Sequence, residues 1–261
     1  MNRSEEPDLN KKRINVSIII FFLLLAVYTQ AQPGSLHLDM LIDMPIAKVM
    51  FKGGIDTELR MYQNGGLLAS ISIGITDRFK LGVSYGGENV IGSGEVNLNP
   101  LPCVQLKYIL LEEQYLVPAF AIGFDAQGYG RYIQELKRYA RKSRGLYAVV
   151  SKNTSFLGGI GIHFGVNWSL EKEDGDSDPN LFAGFHKRIS SEWVILGEYD
   201  TAINDNHGDA IGAGKGYLNI GIRWSFAERF FVDMTWKNVF ENEKQVAGSS
   251  REVKIVYRTQ F

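Results

Sequence analysis

Cysteine is almost missing from this chain: the single Cys103 has no partner, so no internal disulfide staples the fold. Proline is sparse as well, 7 in 261 residues, which leaves long stretches free to pair their backbone N–H groups in ladders. Neither sign of charge dominates. Lys and Arg number 28 against 29 Asp and Glu, and a formal charge of −1 offers no field for nucleic acid. Beyond residue 31 no apolar run approaches the roughly 20 residues that a membrane helix needs. What the chain does hold is 28 Gly, 15 Phe and 12 Tyr, a composition suited to many strands and turns.

The first residues read as an address. Lys11, Lys12 and Arg13 precede an apolar run over 16–27, and Thr29-Gln30-Ala31 follows with small residues where a signal peptidase cuts. Residues 1–31 are therefore expected to be a secretory signal peptide. The absence of cysteine at that junction argues against a lipoprotein. Residues 32–53 are irregular, and Asp43-Met44-Pro45 argues against a central strand. This stretch is expected to be a periplasmic lead-in or a plug segment folded into a lumen.

From residue 54 to 261 the pattern has period two. Leu67, Ala69, Ile71, Ile73 and Ile75 alternate with Leu68, Ser70, Ser72 and Gly74. Ile160, Ile162, Phe164, Val166 and Trp168 alternate with Gly161, His163, Gly165 and Asn167. Alternation of this length means strands with one bulky face and one small or polar face. About twelve strands are predicted, near 54–62, 67–75, 79–86, 103–111, 115–124, 145–152, 156–168, 181–188, 192–200, 216–226, 229–239 and 251–261. Their connections alternate between short and long. Only the first hairpin departs from this, and its Asn64-Gly65 pair suits a type I′ turn. Short turns at one end and long loops at the other are the signature of an outer-membrane barrel. The expected fold class is an all-β transmembrane antiparallel β-barrel in the bacterial outer membrane, with short periplasmic turns and long extracellular loops.

If the bulky faces meet lipid, the polar ones line a lumen, because only a closed barrel or a helix satisfies its whole backbone there. The lumen-lining residues are then Asp56, Glu58, Arg60, Lys80, Lys107, His163, Glu198, Asp200, Arg223, Asp233, Lys237, Lys254 and Arg258. His186 maps inward too. Mixed signs in a confined space favour salt-bridged pairs, while a polar conduit that selects solutes is the alternative. Glu198 and Asp200 share a strand face, and paired carboxylates can share a proton or bind a cation; Arg223 on the neighbouring strand makes a salt bridge the plainer expectation. In the last strand, Tyr257 and Phe261 resemble the C-terminal assembly signal of outer-membrane barrels, which implies the barrel-assembly machinery as a partner.

Further segments resemble the YjbH-like family of bacterial outer-membrane barrels. They are Leu41-Ile42-Asp43-Met44-Pro45-Ile46-Ala47, Gly74-Ile75-Thr76-Asp77-Arg78-Phe79-Lys80-Leu81-Gly82-Val83, Tyr147-Ala148-Val149-Val150-Ser151-Lys152, and Glu198-Tyr199-Asp200 followed by Leu218-Asn219-Ile220-Gly221. That resemblance implies association with exopolysaccharide export.

The functional expectation is a narrow channel or export-associated barrel for a small polar or saccharide solute. The alternatives are a non-conducting structural or surface-binding barrel and, more remotely, a hydrolase at the rim. No enzyme activity is expected, since Ser84, His163 and Asn167 are present but no spacing selects them. No cofactor or metal is expected. The stretch 171–178 is rich in acids yet lacks the downstream Glu of an EF-hand, and reads as a mobile outer loop. Lys137, Arg138, Arg141, Lys142 and Arg144 read as a solvated basic loop or a contact for lipopolysaccharide phosphates or an anionic polymer. Membrane lipid, lipopolysaccharide and a polysaccharide or polar solute complete the expected partners; nucleic acid is not among them.

Overall fold

A computed structural model describes residues 38–154, 159–226, 229–244 and 248–260; the segment read as a signal peptide and Phe261 lie outside the described residues. The strands in chain order are β1 Gly54–Tyr62, β2 Gly66–Thr76, β3 Phe79–Glu88, β4 Asn97–Leu98, β5 Cys103–Leu111, β6 Ala119–Asp125, β7 Tyr129–Ile133 and β8 Arg138–Arg141. They continue as β9 Gly145–Thr154, β10 Ile160–Trp168, β11 Asn180–Arg188, β12 Trp193–Asp200, β13 Tyr217–Phe226, β14 Phe230–Lys237 and β15 Ser250–Gln260. Twelve of them form a ring of antiparallel neighbours; β4, β7 and β8 belong to the outer loops. The ring closes where β1 meets β15, in register from Gly54 opposite Gln260 to Met61 opposite Val253. Closure leaves no free edge, so every strand finds partners for its N–H and C=O groups on both sides.

The pleat decides which side meets lipid. On β14, Asp233 and Lys237 are fully buried while Met234 and Trp236 are exposed. On β10, His163 is buried and Phe164 is 54% exposed. Leu59, Ile71, Val83, Tyr108, Ile122, Leu146, Val166, Leu181 and Ile220 continue this apolar exterior around the ring. A belt of that extent is stable only against acyl chains. The chain is an outer-membrane β-barrel, polar within and greasy without.

Several elements differ from the sequence reading. The strand expected over 115–124 begins at Ala119, because Pro118 has no N–H to donate and Tyr115–Val117 stay in the turn. β14 stops at Lys237 rather than 239, since Asn238 turns to φ 54°. The stretch 125–144 is no plain loop: β7 and β8 form a hairpin whose Arg138, Tyr139, Ala140 and Arg141 are all buried. The basic residues Arg138, Arg141 and Arg144 thus face inward and cannot reach lipopolysaccharide, whereas Arg131 and Lys137 stay exposed. The 171–178 stretch is held in place as well, with Asp174 and Asp176 buried. At the first hairpin Asn64 and Gly65 have φ 58° and 60°, as a type I′ turn requires.

Candidate functional site

Residues 38–53 fill the lumen. The segment is tied to the periplasmic end, where the Gly53 amide donates to the Gly74 carbonyl and the Lys52 amide to the Asp77 carboxylate in the β2–β3 turn. It folds back on itself through a bridge between Met40 and Pro45, with Ile42-Asp43-Met44 at its tip. It adds no strand to the barrel. Leu41, Ile42, Met44 and Met50 are essentially inaccessible, and the first three join a core with Val149, Phe182, Val194 and Leu196. Small wall residues make room for it: a Cβ on Gly184 would lie 2.4 Å from Leu41 Cδ1.

The tip is gripped by charge. Glu198 sits under three successive amides, accepting from Ile42 at 3.1 Å, Asp43 at 2.9 Å and Met44 at 2.9 Å, and from Asn219 Nδ2 at 2.8 Å. Amides converging on one anion make a concave nest. The Asp43 carboxylate pairs with Arg60 at 2.6 Å and with Lys237. Arg60 also donates to the Ile42 carbonyl at 3.0 Å, and Arg144 to the Asp43 carbonyl at 3.1 Å. The wall carboxylate Glu252 lies 3.6 Å from Arg60, 3.4 Å from Lys237 and 3.7 Å from Arg141, so three cations share it.

Lower down, Asp39 pairs with Lys80. Lys107 donates to plug carbonyls, those of Asp39, Ile46 at 3.2 Å and Lys48 at 3.1 Å. The Ala47 amide donates to Ser151 Oγ at 2.8 Å. That hydroxyl is 2.7 Å from His163 Nδ1, whose Nε2 is 3.0 Å from His186 Nδ1. The serine–histidine contact is thus buried against the plug, and its third member is a histidine rather than a carboxylate. Ser84 and Asn167 bond elsewhere, to Gln127 and the Arg144 carbonyl.

The remaining wall charges pair among themselves. Arg258 Nε donates to Asp56 at 2.6 Å. Arg223 forks onto Asp233 at 2.6 and 2.7 Å, its direct partner in the β13–β14 register, and Lys254 bridges Asp233 at 3.1 Å and Glu58 at 3.7 Å. Arg223 therefore does not serve Glu198 or Asp200, as the sequence suggested; Asp200 takes Arg144 at 3.0 Å. The cause is register: Asp233 stands opposite Arg223 on the adjacent strand, where no side chain has to stretch. Gaps in the lumen among the described residues include three of about 30, 20 and 40 Å³, each with room for a water or two.

Above the plug, the outer loops are knitted together. Arg138, fully buried, reaches Asp174 at 2.5 Å and Asp205 at 2.7 Å, and Lys142 reaches Asp174 at 2.8 Å. Tyr217 Oη donates to Asp205 at 3.0 Å. Glu171 accepts from the Tyr139 and Ser143 amides, and burial pushes its carboxyl up to about 7 against those hydrogen bonds. Asp176, Asp178 and His207 approach one another on these loops.

Sequence reasoning missed the partners Asp39, Asp43, Arg141, Arg144, Ser151 and Glu252. Glu252 was within reach, since it shares the inward parity of Lys254 and Arg258 on β15. Asp39 and Asp43 carried no periodic signal. Tyr257 faces outward, 45% exposed, beside Phe230 with ring centroids 6.3 Å apart.

The architecture is that of an outer-membrane porin-type barrel. No family model and no curated protein matches the chain. Among solved structures it is similar to the KdgM porin, with a TM-score of 0.51 at 12% identity over 78% of this chain and 98% of that one. It is equally similar to the KdgM porin in complex with disordered oligogalacturonate, with a TM-score of 0.51 at 11% identity over the same shares. The outer-membrane channel of Pseudomonas putida F1 known as COG4313 aligns over 88% of this chain and all of its own, at 12% identity and a TM-score of 0.41.

Proposed function

We propose that this protein is an outer-membrane channel for a small polar or saccharide solute, held shut by its own segment 38–53. The observation that carries this reading is how the segment is attached. Beyond the Gly53 amide at its anchored end it is bound through side chains of the wall, and it contributes no strand, so it can leave the lumen without breaking a single barrel ladder. The porin-type fold supports passage as the purpose of the ring, and the oligogalacturonate carried by one similar porin supports a saccharide. Resemblance to YjbH-like barrels adds exopolysaccharide export as a setting.

Planar-bilayer recording tests this with the full chain. The native protein is expected to stay closed with rare openings. Leu41→Asn, which buries an unpaired amide on the plug and touches no barrel ladder, is expected to raise the open fraction. Silence of both proteins at every salt and voltage would refute a channel.

A second reading, a non-conducting barrel that presents a surface, is favoured by the loop cap built on Arg138, Asp174 and Asp205. Binding to cell-surface polymers by the native protein, with no conductance from it or from Leu41→Asn, would support it.

A further inference from the structure

The plug's two carboxylates occupy basic places where wall cations outnumber the wall acids paired with them. Among the described residues Lys80 makes its one ion pair with Asp39, and Lys107 has only plug carbonyls as hydrogen-bond acceptors. At the tip, Asp43 takes Arg60 and Lys237; the wall offers these two and Arg141 one shared carboxylate, Glu252, and Arg60 a longer contact to Glu58 at 3.9 Å. This second place has donors to spare. Among the described residues Arg60 Nε and Arg141 Nε and Nη1 are buried without a hydrogen-bond partner, and both side chains are more than nine-tenths buried. The tip's N–H groups, by contrast, are fully used on Glu198. When the segment leaves, two positive places one above the other are stripped of their counter-charge. Departure also takes the three tip amides from Glu198, which keeps Asn219, while Arg223, Lys254 and Asp233, and Arg258 and Asp56, stay matched.

We infer that the plug is an internal stand-in for the solute, and that the solute is a chain of acidic units, such as a uronic-acid oligosaccharide, whose carboxylates take the places of Asp39 and Asp43. This rests on the channel reading above and narrows it to anionic solutes. Guanidinium and ammonium groups recognise carboxylates through charge-assisted hydrogen bonds, and Arg60 offers the forked geometry that suits them. Two such places along one path accept a repeating acid better than a single anion, because the second contact is made at high local concentration. Solute and plug would then compete, so the solute arriving at the lumen also displaces its lock.

The test uses the full chain with Asp39→Asn and Asp43→Asn together, which removes the plug's carboxylates and leaves the wall intact. In bilayers under a salt gradient, the reversal potential of the open state is expected to show chloride preferred over potassium. A uronic-acid trisaccharide is expected to block this current at concentrations roughly tenfold below those of a neutral trisaccharide of equal length. Lys80→Gln with Lys107→Gln, added to the same background, is expected to abolish that difference. If the double Asn variant does not assemble, Leu41→Asn carries the same two measurements. An open channel that prefers potassium, or that both trisaccharides block alike, overturns the acidic-solute inference and leaves the channel reading standing. A barrel that never conducts overturns both.

Discussion

Replacing Glu198 with Gln should unlock the lumen with little change of shape. In the native protein one Glu198 oxygen accepts from the Ile42, Asp43 and Met44 amides, while the other accepts from the Asp43 amide and from Asn219 Nδ2. Gln keeps one acceptor oxygen and turns an NH2 group toward donors that cannot accept it. Hydrogen bonds to a charged acceptor are worth about 1.5–3 kcal/mol each. Losing two of them, with partial relaxation of the tip, should weaken plug binding by about 3 kcal/mol, or about a hundredfold in the open-to-closed ratio. Single-channel recording measures that ratio directly, and retention of the heat-modifiable gel mobility of folded barrels verifies that the ring has formed. An assembled Glu198→Gln barrel whose open-to-closed ratio stays within about threefold of the native value would refute the nest as the main lock.

Other features yield independent tests. Phe164→Arg, on the lipid face at the middle of β10, should destabilise folding into vesicles by about 2–4 kcal/mol, as read from denaturant titration. Arg138→Ala should leave the buried Asp205 without a cation and Asp174 with Lys142 alone, at a cost of about 3–5 kcal/mol to the cap, seen as rapid proteolysis in the 169–180 and 201–215 loops while the barrel core resists. The raised carboxyl of Glu171, at about 7 against an ordinary 4.5, binds its proton more tightly in the folded cap than in an open one. Its contribution is therefore greatest below the ordinary value and fades as pH rises through 7. Hydrogen exchange at the Tyr139 and Ser143 amides, corrected for intrinsic rates, should show stronger protection at about pH 5 than at about pH 8, and Glu171→Gln should flatten that dependence.

The ring was legible in the sequence because period-two alternation is a local property. Leu67 to Ile75 already separates lipid side from lumen side, and the spacing of short and long connections orients the hairpins. The partners inside the lumen were less legible. Which acid meets which base depends on register between strands, and so Arg223 falls to Asp233 rather than to Glu198. The plug was the least legible part. Asp39 and Asp43 belong to an irregular stretch whose bonds reach up to 156 residues along the chain, as between Ile42 and Glu198. Pro45 was informative in a negative sense, excluding a central strand where the hairpin bends back. The inward turn of Arg138, Arg141 and Arg144 was hidden because a basic run in a loop looks the same whether it is solvated or folded over acids.

The way the inner segment is held has a mechanical consequence. It grips β1 through Arg60, β3 through Lys80, β5 through Lys107, β9 through Ser151, β12 through Glu198 and β14 through Lys237, contacts spread around the circumference. It works like the hub of a spoked wheel, and hydrogen-bonded strands alone resist flattening far less than a braced rim does. A barrel with its hub withdrawn is free to become elliptical, so its cross-section when open is set by the bilayer and the passenger rather than by the twelve strands alone.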